Sequence, residues 1–292
     1  MKDCRSILCA LGFVLVSVVG AVPADTPISF RFTKANVPGA LQTFPGGLNN
    51  AGLSVGQYQD KRKVLHGYIL NGKKATTLDD PNGTGTGANN LNPNGATSIV
   101  GFYLNSAGSS VGFLYRDGKY TDIPGPTGAT ASFAAAINDE GNIVGDYVDS
   151  GKRTHGFLLR GAKYTTLDPP GSTFSVATGI NRAGSITLSW VDSNGVLHSS
   201  LYNGKVYKTI DVPGAAGSVA LDLDAAGDVT YEWLDRKGLA HAALLHGGKY
   251  YKFGYPKAVQ GYASGINDKN EIVGGFQGVS KGPSQGFHAT YK

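Results

Sequence analysis

The chain has 292 residues, a formal net charge of +5, 43 glycines, 13 prolines and a single methionine. Together with 15 tyrosines and 12 phenylalanines, this composition favours turns and strands over helices. A lysine recurs in each of the repeats described below, so the basic excess is spread around the molecule, which excludes the concentrated basic patch that nucleic-acid binding requires.

The first 24 residues are typical of a secretion signal. A short basic region precedes an apolar run from 7 to 20, and Ala24 offers a small residue for cleavage. The run is short for a bilayer span of about 20 residues, so we predict a signal peptide over 1–24, a secreted extracellular or periplasmic protein, and no stable membrane insertion after cleavage. Both cysteines, Cys4 and Cys9, lie in this segment, which leaves no cysteine for a disulfide or a nucleophile.

Six copies of one pattern follow along the chain. Each has an aliphatic residue, an Asn or Asp, two variable residues and a turn residue, as in 137–141 (Ile-Asn-Asp-Glu-Gly). The second residue, which we call the anchor, recurs at Asn49, Asn92, Asn138, Asn181, Asp224 and Asn267. A period near 43 residues with strand-like content indicates propeller blades or a solenoid.

The third repeat predicts four short strands, here called a to d. They cover residues 133–137, 142–148, 154–159 and 163–167, and Gly, Asn and Asp turns join them. Strands b and c are apolar on both faces, so the sheet must be covered on both sides, as it is when blades stack around an axis.

The two ends of the chain complement each other. The last repeat stops after its strand c at 285–291, whereas the segment 31–40 precedes the first strand a and matches the strand d and exit turn at 206–215. An N-terminal strand that completes the last blade would remove the exposed edges of an open array. We therefore predict one domain over 25–292, an all-β, monomeric, six-bladed β-propeller of four-stranded antiparallel blades, closed by the N-terminal strand.

Three motifs carry a resemblance to a known family. Strand c reads His-Gly-Tyr at 66–68, Val-Gly-Phe at 111–113 and His-Gly-Phe at 155–157, and strand b of repeat 3 contains Ile-Val-Gly at 143–145. With the Ile-Asn-x-x-Gly turn, they resemble the HAF-type extracellular repeat family of secreted bacterial proteins. The resemblance covers nearly the whole chain after the signal and is looser in repeats 4 and 5. It implies secretion and a propeller-like array, and it implies no established activity and no catalytic residues.

The strand c histidines are candidate metal ligands: His66, His155, His198 and His241. They lie two strands out from the axis, at least about 10 Å beyond strand a. Ligands from different blades cannot then converge to bonds of about 2 Å. We therefore predict structural histidines that are hydrogen-bonded within each blade, with no metal site and no cofactor.

An aromatic residue also recurs in strand b: Tyr58, Tyr103, Tyr147, Trp190, Trp233 and Phe276. Small residues of the same strand, Gly56, Gly101, Gly145 and Gly274, would let such rings approach closely. We expect these rings to pack between blades rather than to stack on sugars.

The d-to-a and b-to-c connections emerge on one face and vary most between repeats, which makes that face the better candidate for binding. Its charged candidate ligand-binding residues are Lys61, Arg62, Lys63, Arg153, Asp192, Asp235 and Arg236, and Lys281 lies on the same face. Cations would pair with carboxylates while Asp accepts hydrogen bonds from hydroxyls. An anionic glycan or another surface polymer is therefore the favoured partner.

The sequence contains no Gly-rich phosphate loop, no Gly-x-Ser-x-Gly elbow and no His-Glu-x-x-His motif. It also shows no cluster of unlike catalytic groups unique to one repeat, which chemistry would need. These observations favour a secreted binding or scaffold protein without catalytic residues. Two alternatives stay open: an extracellular polysaccharide lyase or hydrolase with its site at the channel mouth, and a purely structural module of a surface assembly.

Overall fold

The computed structural model describes residues 28–95, 97–279 and 282–292. The predicted signal peptide over 1–24 and Lys281 lie outside the described residues. Within these ranges, no helix is long and apolar enough to span a membrane.

Twenty-four strands form six antiparallel sheets of four strands each. The chain begins with β1 (Phe30–Lys34) and continues into blade 1 with β2 (Gln42–Leu48), β3 (Leu53–Gln59), β4 (Leu65–Asn71) and β5 (Lys74–Leu78). Blade 2 has β6 (Gly85–Leu91), β7 (Ser98–Leu104), β8 (Ser110–Arg116) and β9 (Lys119–Ile123). Blade 3 has β10 (Ala131–Ile137), β11 (Ile143–Val148), β12 (Thr154–Arg160) and β13 (Lys163–Leu167).

Blades 4 to 6 repeat the same meander. Blade 4 has β14 (Phe174–Ile180), β15 (Ile186–Val191), β16 (Leu197–Tyr202) and β17 (Tyr207–Thr209). Blade 5 has β18 (Gly217–Leu223), β19 (Val229–Leu234), β20 (Ala240–His246) and β21 (Lys249–Phe253). Blade 6 has β22 (Gln260–Ile266), β23 (Glu271–Gln277) and β24 (Gln285–Tyr291), and β1 is its fourth strand.

The predicted closure by the N-terminal strand is confirmed. Strand β1 pairs antiparallel with β24 from Phe30 opposite Tyr291 to Lys34 opposite Phe287. The ring of Phe30 also stacks on Phe253 of blade 5, with 4.2 Å between the ring centroids. The inner strands of blades 1 and 6 contact each other, so the six blades form a closed ring.

The anchor residue explains the repeat in the sequence. The Oδ1 of Asn138 accepts the N–H of Asn142 in its own turn at 3.0 Å, while its Nδ2 donates to the carbonyl of Asn181 in the next blade at 3.1 Å. Asn181 donates in the same way to the carbonyl of Asp224 at 3.0 Å, and Asn267 donates to that of Asn49 at 3.0 Å, across the junction where the ring closes. One side chain therefore shapes the a-to-b turn and ties neighbouring blades together.

Strand c, rather than strand b, supplies the rings that pack between blades. A Cβ atom at Gly56 would lie 2.7 Å from the hydroxyl oxygen of Tyr68, and one at Gly101 would lie 2.8 Å from Phe113. Tyr68 and Phe113 are strand c residues and are fully buried. The strand b aromatics do not fill this space, because four of them lie against the strand c histidines of their own blades: Tyr58, Tyr147, Trp190 and Trp233.

We predict that the ring depends on β1. A chain that begins at Pro38 should aggregate or melt at a markedly lower temperature than one that begins at Asp25, because it exposes the edge of β24 and loses the Phe30–Phe253 stack. Size-exclusion chromatography and thermal melts check this. A shortened chain that stays monomeric with an unchanged melting temperature would contradict the closure.

Candidate functional site

A cavity of about 470 Å³ opens between blades 5, 6 and 1 on the loop face, where the d-to-a and b-to-c connections lie. Five glutamines line it: Gln42, Gln57, Gln59, Gln260 and Gln277. We call it the glutamine cavity. Its walls also present the rings of Phe44, Tyr262 and Phe276 and one carboxylate, Glu232. Polar amides beside aromatic faces are typical of a small-molecule or saccharide site.

The glutamines occur where the repeat breaks. Gln42 is opposite Gln59, and Gln260 is opposite Gln277, at the loop-face ends of strands a and b. In blades 2 to 5 the same pairs are apolar: Gly85–Leu104, Ala131–Val148, Phe174–Val191 and Gly217–Leu234. Only two adjacent blades of the six therefore present amide pairs at this level, which gives the ring one polar sector.

Hydrogen bonds hold these amides in place. Gln42 donates from Nε2 to the Oε1 of Gln59 at 3.1 Å and accepts the N–H of Ser284 at 3.1 Å. Gln260 donates likewise to Gln277. Gln57 differs, since it is only 6% exposed and its Oε1 has no hydrogen-bond partner. This oxygen lies against Gly87 of blade 2, where a Cβ atom would come within 2.5 Å of it, so it is not exposed to the cavity.

A second, smaller cavity of about 80 Å³ lies on the axis beside the first, and we call it the channel pocket. The two share Val219, Leu221 and Ser264 in their walls. Phe133, Phe174 and Asp146 line the pocket. Its wall also includes Asn90, whose side chain hydrogen-bonds the carboxyl of Asp222, a residue of blade 5 on the opposite side of the ring.

Burial raises the pKa of Asp146 to about 7, and burial likewise raises the pKa of Asp222 to about 7 against the opposing effect of its hydrogen bonds. These values lie above that of a carboxyl in the unfolded chain, so the folded state binds more protons between about pH 4 and 7. The two groups therefore cost no stability at acid pH and destabilise the protein as pH rises through that window.

The seven predicted ligand-binding residues do not form one site. Lys61, Arg62 and Lys63 lie on the b-to-c turn of blade 1, and Arg236 lies on that of blade 5. The first residues of the strands that follow these turns, Leu65 and Ala240, line the glutamine cavity. The four cations therefore flank the cavity from both sides. Arg62 is held loosely, with a side chain 83% exposed and its Nε 3.2 Å from Asp60.

Two of the predicted residues are on the other side of the ring. Arg153 belongs to blade 3, which is opposite blade 6, and Asp192 belongs to blade 4, which is opposite blade 1. Arg153 donates to the carbonyl of Ser172 at 2.7 Å. Both residues therefore lie apart from the glutamine cavity, and their part in ligand binding stays a prediction.

Both predicted aspartates are turn residues. Asp192 Oδ1 accepts the N–H groups of Asn194 and Val196 at 2.8 Å each, and the bond from Val196 lowers the pKa of its carboxyl. Asp235 Oδ1 accepts the N–H of Leu239 at 3.0 Å, while Oδ2 lies 3.1 Å from the Nε2 of His241. Both carboxylates therefore shape their own turns, and their predicted role as acceptors of ligand hydroxyls stays a prediction.

The strand c histidines are structural, as predicted. His155 lies with Nδ1 2.7 Å from Asp168 of the d-to-a connection and Nε2 3.3 Å from Asp149 of the b-to-c turn. The ring of Tyr147 stacks on it with 5.1 Å between centroids. His155 therefore clamps the bases of two loops together. No group of three or more His, Cys, Asp or Glu side chains is placed to hold a metal ion within 28–95, 97–279 and 282–292.

The histidine and its two aspartates are not present in every blade. In blade 5 the d-to-a residue is Gly254 instead of Asp, and His241 keeps only its contact with Asp235. In blade 2, Val111 replaces the histidine, and Asn105 and Pro124 replace the two aspartates. In blade 2 the histidine and both carboxylates are therefore replaced together, as expected for groups that satisfy each other.

The fold resembles that of known propellers. No protein-family model matches the sequence, and no curated protein matches it. A mutant of Aleuria aurantia lectin in complex with Fucα1-6GlcNAc superimposes with a TM-score of 0.55 at 13% identity, over 87% of this chain and 96% of that one. SapL1 lectin in complex with alpha methyl fucoside gives 0.55 at 10% identity, over 85% and 93%.

A propeller from a different context is similar as well. The β-propeller domain of the Trilobed protease from Pyrococcus furiosus, which has an open velcro topology, gives a TM-score of 0.50 at 10% identity, over 86% of this chain and 97% of that one. At such identities the likeness establishes the six-bladed architecture and carries no ligand from one protein to another.

We predict that His155→Ala destabilises the protein by about 1–3 kcal/mol, because it leaves Asp168 and Asp149 without a shared partner. His155→Gln should cost less, since Gln285 occupies the equivalent position in blade 6. Denaturant unfolding of both variants measures the difference. Equal stability of His155→Ala and the parent protein would show that the clamp contributes nothing.

Proposed function

We propose that this protein is a secreted glycan-binding propeller whose ligand occupies the glutamine cavity. The observation that carries the proposal is the pair of Gln–Gln contacts that replace apolar pairs in blades 6 and 1 only. A ring of repeats needs such a departure to place unlike groups around one ligand. The saccharide complexes of the two lectins with the same fold support this class of ligand.

The cavity lining suits a sugar ring. Amide side chains both donate and accept, so they match the mixed donor and acceptor character of hydroxyl groups. Phe44 and Tyr262 offer apolar faces for the C–H side of the ring. No Lys, Arg or His is among the described residues that line the cavity, so it offers no cation to an acidic group of the ligand.

Acidic groups of the same glycan would lie outside the cavity, on the rim. Lys61, Arg62 and Lys63 on one side and Arg236 on the other are exposed and can pair with carboxylates of a polymer that extends from the cavity. Exposed ion pairs are weakened by salt, so this part of the affinity falls as ionic strength rises. We therefore infer an anionic glycan with an uncharged residue at the point of recognition.

The cavity is tested by giving blades 1 and 6 the residue that blades 2 and 5 already have. Gln59→Leu and Gln277→Leu should each weaken binding of the best ligand from a glycan array by about 10-fold, since each removes a hydrogen-bonding amide worth about 1–2 kcal/mol. Titration calorimetry measures the affinity, and thermal melts establish that the variants fold. Unchanged affinity in both variants would exclude the glutamine cavity as the site.

Rim charges are tested with a matched pair. Arg62→Glu with Arg236→Glu should weaken binding at low salt far more than Lys163→Glu with Lys205→Glu, because the latter pair lies at c-to-d turns on the opposite face. Equal losses from the two pairs would indicate nonspecific attraction. No loss from either pair would indicate an uncharged glycan, with the cavity still responsible for recognition.

A further inference from the structure

Asp146 is a buried carboxyl without a partner. It lies on β11, is only 8% exposed, and makes no hydrogen bond or ion pair with the described residues. The same strand position carries Gln57 in blade 1, Phe102 in blade 2, Ser189 in blade 4, Glu232 in blade 5 and Gly275 in blade 6. This position therefore differs in every blade, and only blades 3 and 5 carry an acid there. Aspartate is almost never buried unless it is paired, so its partner lies outside the chain.

The channel pocket around Asp146 has a definite chemistry. Its walls are mostly apolar and include the rings of Phe133 and Phe174. Asn89 lines the same pocket, and its amide nitrogen is committed to the carbonyl of Ala134 at 2.8 Å, which leaves its oxygen as an acceptor. About 80 Å³ corresponds to two or three water molecules at about 30 Å³ each. A small group with one positive charge fits this volume and these walls.

A divalent metal ion fits poorly. Calcium takes six to eight oxygen ligands, and the pocket offers a single carboxylate. The hydroxyls of Thr178 and Ser264, which also line it, are donated to the carbonyls of Ala220 and Pro45 in neighbouring blades. An ammonium group needs fewer ligands, because three donors can meet one carboxylate, one amide oxygen and an aromatic face.

We propose that Asp146 and the channel pocket bind a primary ammonium group, which enters through the adjoining glutamine cavity. The two cavities share walls at Val219, Leu221 and Ser264, so the group can be carried either by an amino sugar whose ring stays in the glutamine cavity or by a short alkylamine. Asp146 is the one ionisable side chain among the described residues that line the channel pocket. The proposed ammonium site therefore does not depend on glycan recognition by the glutamine cavity.

The protonation states define the conditions for a test. Asp146 must be ionised to attract the ammonium group, and burial raises the pKa of Asp146 to about 7. An alkylamine stays charged to about pH 10, as lysine does, whereas the amine of an amino sugar loses its proton near about pH 8, as an α-amino group does. Binding should therefore strengthen as pH rises from about 5 to about 7. Two other carboxyls lie close enough to contribute: Glu232 in the glutamine cavity and Asp222, which contacts the pocket wall through Asn90.

The experiment measures binding of ethanolamine, glucosamine and N-acetylglucosamine to the full chain by ligand-observed NMR and titration calorimetry at about pH 7, where both amines are mostly charged, and at about pH 5. Ethanolamine and glucosamine should bind in a saturable manner and more tightly at the higher pH, and N-acetylglucosamine should lack this pH dependence. Tighter binding of glucosamine than of ethanolamine would assign the group to an amino sugar, and the reverse order to an alkylamine.

Asp146→Asn is the decisive variant, because it keeps the shape of the side chain and removes its charge. It should weaken amine binding by about 10-fold or more, the loss expected for a charge-assisted contact. Asp117→Asn, at an exposed c-to-d turn, is the matched control and should bind as the parent protein does. Equal amine affinity in Asp146→Asn and the parent, or no saturable amine binding by the parent at the higher pH, would overturn the proposal.

Discussion

The anchor asparagine is the constraint on which the rest of the ring depends. In blades 3, 4 and 6 its oxygen closes the a-to-b turn and its amide reaches the next blade, as Asn138 does toward Asn142 and Asn181, whereas the amide of Asn92 in blade 2 donates to Asn94 of its own turn. Such a bond is buried, so losing one partner leaves a polar group unsatisfied and costs more than the bond contributes. Asp224 keeps the turn and cannot donate to blade 6, and there Asp268 accepts the N–H of Ala225 instead. The ring therefore tolerates a change of anchor only with a compensating contact.

Because of this constraint, residues can be substituted more freely on one face of the propeller than on the other. The turn face, where the anchors lie, is fixed by their hydrogen bonds, and the histidine clamps fix the bases of the loops on the other face. Side chains at the loop-face ends of strands a and b take part in neither. They can change without loss of the ring, and the glutamine pairs of blades 1 and 6 and the acid at 146 are such changes.

The sequence predicted the fold more fully than the site. Blade number, strand order and closure follow from the anchor spacing and from the match between segments 31–40 and 206–215, and β13 (Lys163–Leu167) coincides with its prediction. The binding site, in contrast, was predicted from the charged residues of the variable loops. Asp192 and Asp235 were chosen as acceptors, yet an aspartate at the first position of a b-to-c turn binds its own backbone. Gln42 and Gln59 are uncharged and carry no motif, and comparison of equivalent strand ends would have found them.

Hydrogen exchange in the presence of the bound glycan tests the location of the binding site most directly. The account predicts added protection confined to segments that line the glutamine cavity, 42–65, 219–240 and 260–284, with the turn face and blade 3 periphery unchanged. Protection centred on the a-to-b turns, or spread equally over six blades, would contradict it.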